Sequence, residues 1–251
     1  MEIENMAQLV KQYYSGQGMV YAAPFVGGTV QTHKARWIGN VPNLELAVEV
    51  EELSHKESHS GSRLKDFTLR KELAAKFKLT MEDFSTDNLA MAFAASVAVV
   101  PKGKVTDETS PTDLAVGDNW LLSKQKIAKL VIKDSTSSPV TLQVGMHYSV
   151  DETFGRVEIF DVSGLKLPLL ATFEHEAADV LDLLVAKTDN YYLRFEGLNT
   201  ADGNRPVLVE IFKASVPPAK MLSLINDELA SFELEGDVLL YKGATVRVTK
   251  L

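Results

Sequence analysis

Leu44-Glu45-Leu46-Ala47-Val48-Glu49-Val50-Glu51 decides the class of fold. Leu44, Leu46, Val48 and Val50 fall on one side of an extended chain, and Glu45, Ala47, Glu49 and Glu51 fall on the other. A β-strand sorts its side chains with a period of two, whereas a helix would scatter both classes around its axis. Residues 67–82 repeat the pattern. Phe67, Leu69, Leu73, Ala75, Phe77, Leu79 and Met81 share one face, interrupted by Lys71, and Thr68, Arg70, Glu72, Lys76, Lys78, Thr80 and Glu82 share the other. At about 3.3 Å per residue this second strand spans about 50 Å, more than a small domain needs, and predicts an extended or bent sheet. Between the two strands lies a polar, charged loop, residues 54–66, far longer than a hairpin turn requires. Loops of that size inside a sheet commonly bind something.

Upstream, Met6, Leu9, Val10 and Tyr13 carry a weak helical period before the breaker Ser15-Gly16-Gln17-Gly18. A strand over 19–23 ends at Pro24, and Gly27-Gly28 marks a turn. Downstream, a helix is predicted over 85–94. Ser85, Asp87 and Asn88 stand at its N-terminus, with Ser85 as N-cap, and Leu89, Met91, Ala92 and Phe93 form an apolar stripe. Residues 101–117, rich in Pro, Gly, Thr and acidic side chains, read as a linker or exposed loop. Short strands over 129–133, 140–144, 147–150, 156–160 and 169–173, separated by turn residues, indicate an inserted β-rich subdomain. Residues 177–187 fit helix or strand equally. Strands follow over 191–196 and 206–214, then a helix or turn region over 219–229, then closing strands over 232–241 and 245–250. The expected division is therefore 1–118, an insertion over 119–176, and 177–251.

The chain has 251 residues and no cysteine, which excludes disulfides, thiolate zinc sites and cysteine nucleophiles. Its net charge of −8 argues against a protein that grips phosphate backbones with clustered cations. The acidic start Met1-Glu2-Ile3-Glu4-Asn5 lacks the basic and apolar regions of a signal peptide. The longest near-apolar run, 89–100, falls short of the roughly 20 residues that span a bilayer. The expectation is a protein made in the cytoplasm without a membrane anchor.

No constellation of catalytic residues rises above background. His55 and His59 stand four apart, but their stretch has no helical period, so two solvated histidines explain them better than a metal pair. His175 sits between Glu174 and Glu176, yet alternation sends the two glutamates to the opposite face. Gly16 and Gly18 do not join a strand to a helix at phosphate-loop spacing, and no nucleophile elbow or His-Glu-x-x-His motif occurs. No catalytic, cofactor-binding or metal-binding residue is therefore assigned, and the expectation is a non-enzymatic protein.

At Trp37-Ile38-Gly39-Asn40-Val41-Pro42-Asn43-Leu44 the sequence begins to resemble the tail tube (major tail) proteins of long-tailed phages, closer to the non-contractile, siphovirus type. The likeness continues through residues 51–66, through Glu82-Asp83-Phe84-Ser85-Thr86-Asp87-Asn88-Leu89, and through 195–202 and 206–235, and it leaves out the inserted region. The resemblance implies a mainly β subunit, a β-sandwich with a flanking helix, whose sheets join those of identical neighbours into a barrel. Six subunits would form a ring, and stacked rings a tube located in the virion. Such a tube encloses a tape-measure protein during assembly, meets terminator and distal tail proteins at its ends, and passes viral DNA without reading its sequence. Its electronegative lumen suits that passage.

Carried onto this chain, the resemblance places Glu45, Glu49 and Glu51 toward the lumen. It places His55, Lys56, Glu57, His59, Arg63, Lys65 and Asp66 in a loop that reaches an adjacent subunit or ring. The inserted region would decorate the outside. Arg70, Lys76 and Lys78 either lie away from the lumen or give it mixed charge. The competing readings are a related assembly protein, such as a tube terminator or decoration protein, and a carbohydrate-active β-sandwich enzyme. The latter would need two converging carboxylates and aromatic platforms that Trp37 and Trp120 do not form in sequence.

Overall fold

The two alternating stretches fold as the longest strands of a mainly β protein, seen in a computed structural model that describes residues 12–186 and 190–251. The chain runs through β1 (Gly16–Val26), β2 (Thr29–Val30), a 3-10 turn (Thr32–Lys34), β3 (Arg36–Trp37), β4 (Asn43–Lys56) and β5 (Lys65–Met81). Helix α1 (Thr86–Phe93) follows, then β6 (Ser96–Val100), β7 (Gly103–Thr109), β8 (Asn119–Leu121) and β9 (Ile127–Lys133). Next come β10 (Tyr148–Asp151), β11 (Arg156–Ile159), β12 (Leu170–His175) and β13 (Ala178–Asp182). The last strands are β14 (Asn190–Asn199), β15 (Arg205–Ser215), β16 (Phe232–Val238) and β17 (Val246–Lys250). They form several sheets, and among the described residues none closes into a barrel. The helical period around Met6, Leu9 and Val10 lies outside the described residues, and Tyr13 is exposed. No helix among the described residues is long and apolar enough to cross a membrane.

The fold divides into two compact units, one formed by the chain up to Ser96 and from Leu181 onward, the other by Val97–Val180. In the first, one large sheet runs β2-β1-β14-β15-β16-β5-β4, with β17 paired to β15 and β3 to β1. Alternation decides which side chains enter its core. Leu79 stands opposite both Leu44 and Leu234, and Met81 opposite Phe232. Phe77, Leu79, Met81, Phe232 and Leu234 are all buried, together with Met91, Ala92 and Phe93 of α1. Each large apolar side chain buried this way contributes about 1.5–3 kcal/mol. The phenyl rings of Phe84 and Phe232 meet edge to face at 5.2 Å. Gly236 has a steric reason to be glycine: a Cβ there would come within 1.9 Å of the Ser215 carbonyl and 2.8 Å of the Phe77 ring. An eight-residue helix is marginal alone, so packing on this core holds α1 in place.

The second unit has two three-stranded sheets, β10-β11-β8 and β7-β12-β9, around buried Trp120, Ile132, Tyr148, Val157, Ile159 and Phe173. Here the expected boundaries shift. Residues 101–117 are not a linker throughout, because β7 pairs along β12 from Thr109 opposite Leu170 to Gly103 opposite His175. The unit accordingly begins at Val97 and extends to Val180 rather than covering 119–176. Residues 140–144 form no ladder; they are tied by isolated bridges, Lys133 with Thr141 and Val144 with Tyr148. A buried carboxylate organises this turn. Asp134 accepts from the Val140 amide at 2.7 Å, the Thr136 hydroxyl at 2.9 Å and the Lys166 amide at 3.4 Å. Burial pushes its pKa up, but these donors outweigh burial and hold it below the ordinary value.

Residues 177–187, open between helix and strand in the sequence, contain β13, which pairs with β6 where the chain passes between the units. The region over 219–229 forms no helix and runs as irregular chain. Ala219 and Leu222 pack against the core, but Met221, Leu224, Ile225 and Leu229 stand exposed, and a short helix with so small a buried face does not persist.

The long hairpin as candidate assembly surface

β4 and β5 pair from Asn43 opposite Thr80 to Lys56 opposite Lys65. The expected loop over 54–66 is therefore strand at both ends. His55, Lys56 and Lys65 belong to the ladder, Asp66 is left unpaired in it by a register shift between His55 and Lys56, and residues 57–64 turn the chain. Polar composition mimics a loop here because both faces of the distal hairpin are exposed, so burial imposes no alternation. Among the described residues β4 is the last strand of its sheet, and no strand pairs with its outer edge.

One face of the β16-β5-β4 triplet is charged. Glu45 stands opposite Lys78, which stands opposite Glu235; Ala47, Lys76 and Asp237 form the next row. Glu49, Glu51, Glu72 and Glu233 complete a set of seven carboxylates around two lysines. Lys76 meets Glu49 at 2.9 Å, Lys78 meets Glu233 at 3.0 Å, and Lys71 reaches Glu51 at 3.5 Å. Hydrogen bonding to Glu49 raises the pKa of Lys76, and hydrogen bonding to Glu233 raises that of Lys78. Lys220 bonds Glu235 at 2.8 Å and lowers its pKa. The row Glu45, Glu49, Glu51 thus shares its face with Lys76 and Lys78, which makes the surface mixed in charge with acid in excess. The three carboxylates from β16 were missed in the sequence, although Phe232-Glu233-Leu234-Glu235-Gly236-Asp237-Val238 carries the same alternation as β4.

The opposite face is apolar and only half covered. Near the core it holds Leu79 and Phe77, but outward it continues as Leu46, Val48, Val50 and Leu73 without cover; Val48 is 69% exposed and Leu73 64%. Further out the apolar side changes. A register shift between Glu51 and Glu52 leaves Lys71 unpaired, with Glu51 opposite Glu72 and Glu52 opposite Arg70. Leu53 then faces Leu69, and His55 faces Phe67. Since side chains still alternate along β4, Leu53, Leu69 and Phe67 lie on the side of Glu49 and Glu51. The single apolar face read along 67–81 is split by this bulge. Both faces of the hairpin therefore expose apolar side chains, at different distances from the core.

The tip is tightly organised. Glu57 accepts from the amides of His59 and Ser60, both at 2.8 Å, from Leu64 at 3.2 Å, and from the Ser60 hydroxyl. Those donors, led by Ser60, draw its pKa down to about 2. His55 contacts Asp66 at 2.6 Å, and His59 lies 3.1 Å from Glu57. Among the described residues no cluster of metal-binding side chains occurs. His175 is a buried histidine of the second unit, 3.1 Å from the Glu176 carbonyl, with its neighbours turned outward: Glu174 to Lys129 at 3.0 Å and Glu176 to Lys102 at 2.7 Å.

Ser85, Asp87 and Asn88 fix the helix and are not part of the hairpin surface. Ser85 takes the N-cap position with extended backbone, but its side chain makes no cap bond. Asn88 is fully buried, donates to the carbonyls of Ile38 at 2.8 Å and Asp83 at 3.0 Å, and accepts from Arg36. Asp87 lies 4.0 Å from Arg36.

No curated protein matches the chain. Residues 13–246 match the model of the family described as protein of unknown function UCP028589. That span takes in the long hairpin, its charged and apolar faces and both compact units, and the chain belongs to this family.

Proposed function

We propose that this protein is a non-enzymatic structural subunit that polymerises as stacked rings, the tail tube of a long-tailed phage. The observation that carries the reading is the β4–β5 hairpin: its strands extend beyond the core, with an open edge and apolar side chains uncovered on both faces. An edge strand of that length with exposed apolar residues is an aggregation hazard for a monomer and a pairing surface for a polymer. Identical copies supply the missing cover, and the subunit's β-sandwich closes into a barrel only in the ring. The charged face of β16-β5-β4, with Glu45, Glu49 and Glu51, then lines the channel, and its excess of carboxylates over lysines repels passing DNA. The tube resides in the virion, encloses a tape-measure protein, and meets terminator and distal tail proteins at its ends.

Electron microscopy of the purified chain tests this. Long hollow tubes are the expected outcome, with the charged face inward in the averaged map. Single capped rings would favour a terminator, discrete trimers a decoration protein, and a protein monomeric at every concentration would defeat the polymer reading. Tubes lined by the apolar face would defeat the lumen assignment alone.

A further inference from the structure

The irregular segment between β15 and β16 also holds apolar side chains in the open. Leu224, Ile225 and Leu229 are 83%, 98% and 91% exposed. The segment is nevertheless tethered at both ends. Val216 and Phe232 are buried, the Ala219 amide donates to the Ala92 carbonyl at 2.6 Å, and Lys220 is held by Glu235. A groove of 530 Å³ stays open at its root beside Met221 and Phe232, so the segment does not fold back onto β16. Leu222 packs on the core, while Met221, Ile225 and Leu229 keep a helical spacing that gains stability only against a partner.

Charge says what that partner is. Asp227 and Glu228 form no ion pair among the described residues. The distal hairpin carries the complement: Lys56, Arg63 and Arg70, likewise without an ion pair among the described residues, with Lys56 and Arg70 on the face of exposed Val50 and Leu73 and exposed Leu53, Phe67 and Leu69 on the other. We infer that the hairpin tip of one copy docks on the 221–229 segment of the next copy, apolar on apolar and cation on anion. This rests on the polymer reading and names its interface. The two surfaces are different parts of one chain, so the contact is head to tail and propagates into a ring or filament instead of stopping at a two-fold dimer.

The test exploits that asymmetry. One variant reverses the tip (K56E, R63E, R70E) and another reverses the segment (D227K, E228K). Each alone sets like charges against each other and should raise the critical concentration for assembly by at least about tenfold, since such juxtaposition costs several kcal/mol. An equimolar mixture should recover wild-type assembly, because each variant's tip now matches the other's segment. All five side chains are solvent-facing, and unchanged circular dichroism and Tm serve as the folding control. A third variant, I225S with L229S, tests the apolar part and should also fail to assemble. Assembly of either reversed variant at the wild-type concentration overturns the inference, as does a mixture of folded variants that stays unassembled. A wild-type chain that never assembles overturns the polymer reading beneath it, a distinct result.

Discussion

Glu57 shows how a single carboxylate builds a surface. Its side chain is nearly buried at a turn otherwise made of Ser, Gly and charged residues, and four donors converge on its two oxygens. Such bonds favour the charged form, so the pKa falls from 4.5 to about 2. The sign follows directly. A group with a depressed folded pKa contributes its full stabilisation above its unfolded value and loses it as pH falls through the folded value. The order of the tip should therefore persist at pH 4.5 and disappear as pH approaches 2. The amide resonances of Ser60 and Leu64 should titrate near pH 2, and in Glu57→Gln they should not titrate there at all. A midpoint near 4.5 would show that the clamp does not form in solution. A pre-ordered tip matters for assembly because ordering it beforehand lowers the entropic cost of docking.

At the scale of elements, the hairpin separates residues that hold the monomer together from residues that await cover. Phe77 and Leu79 are in the core, whereas Phe67 and Leu69 on the same strand are about half exposed. Phe67→Ser combined with Leu69→Ser should leave the Tm of the monomer unchanged within about 1 °C, as expected of surface substitutions, while preventing growth of tubes. A fall of several degrees would place those side chains in the monomer's own core and remove the argument from the hairpin. The strands themselves were legible because alternation over 44–51 and 73–81 is imposed by one buried face. Legibility fails where that cause is absent. Residues 54–56 and 65 pair without burial, so their polarity suggested a loop. The bulge at Lys71 is set by cross-strand register, which one strand's sequence does not contain. β7 reads as a linker because its Thr and acidic residues leave the ladder with β12 as its main signal. In 221–229 the helical spacing is present and the helix is not, since propensity without a packed face is too weak to decide. The candidate surface was half legible for a related reason: β4 announced its acidic row, while the matching row on β16 is brought alongside only by a connection distant in sequence.

At the scale of the whole molecule, the arrangement of the chain predicts that its two units are separable. Residues 97–180 enclose their own core, with Trp120, Ile132, Ile159, Leu169 and Phe173 almost wholly buried. The chain departs from the first unit and returns to it side by side: the Leu184 amide donates to the Phe93 carbonyl at 3.0 Å, and the Ala186 amide to the Ala94 carbonyl at 2.9 Å. Exit and entry points that close together permit an insertion without strain on the host fold. Replacing 97–180 by a short Gly-Ser linker should therefore leave the large sheet, the hairpin and the 221–229 segment intact, and the shortened chain should still form tubes. The excised 97–180 fragment should unfold in one cooperative thermal transition and stay monomeric. An unfolded fragment would mean that its core depends on the rest of the chain. Loss of tubes from a shortened chain that is itself folded would assign the assembly contacts to the inserted unit instead of the hairpin, because every surface invoked for polymerisation lies outside 97–180.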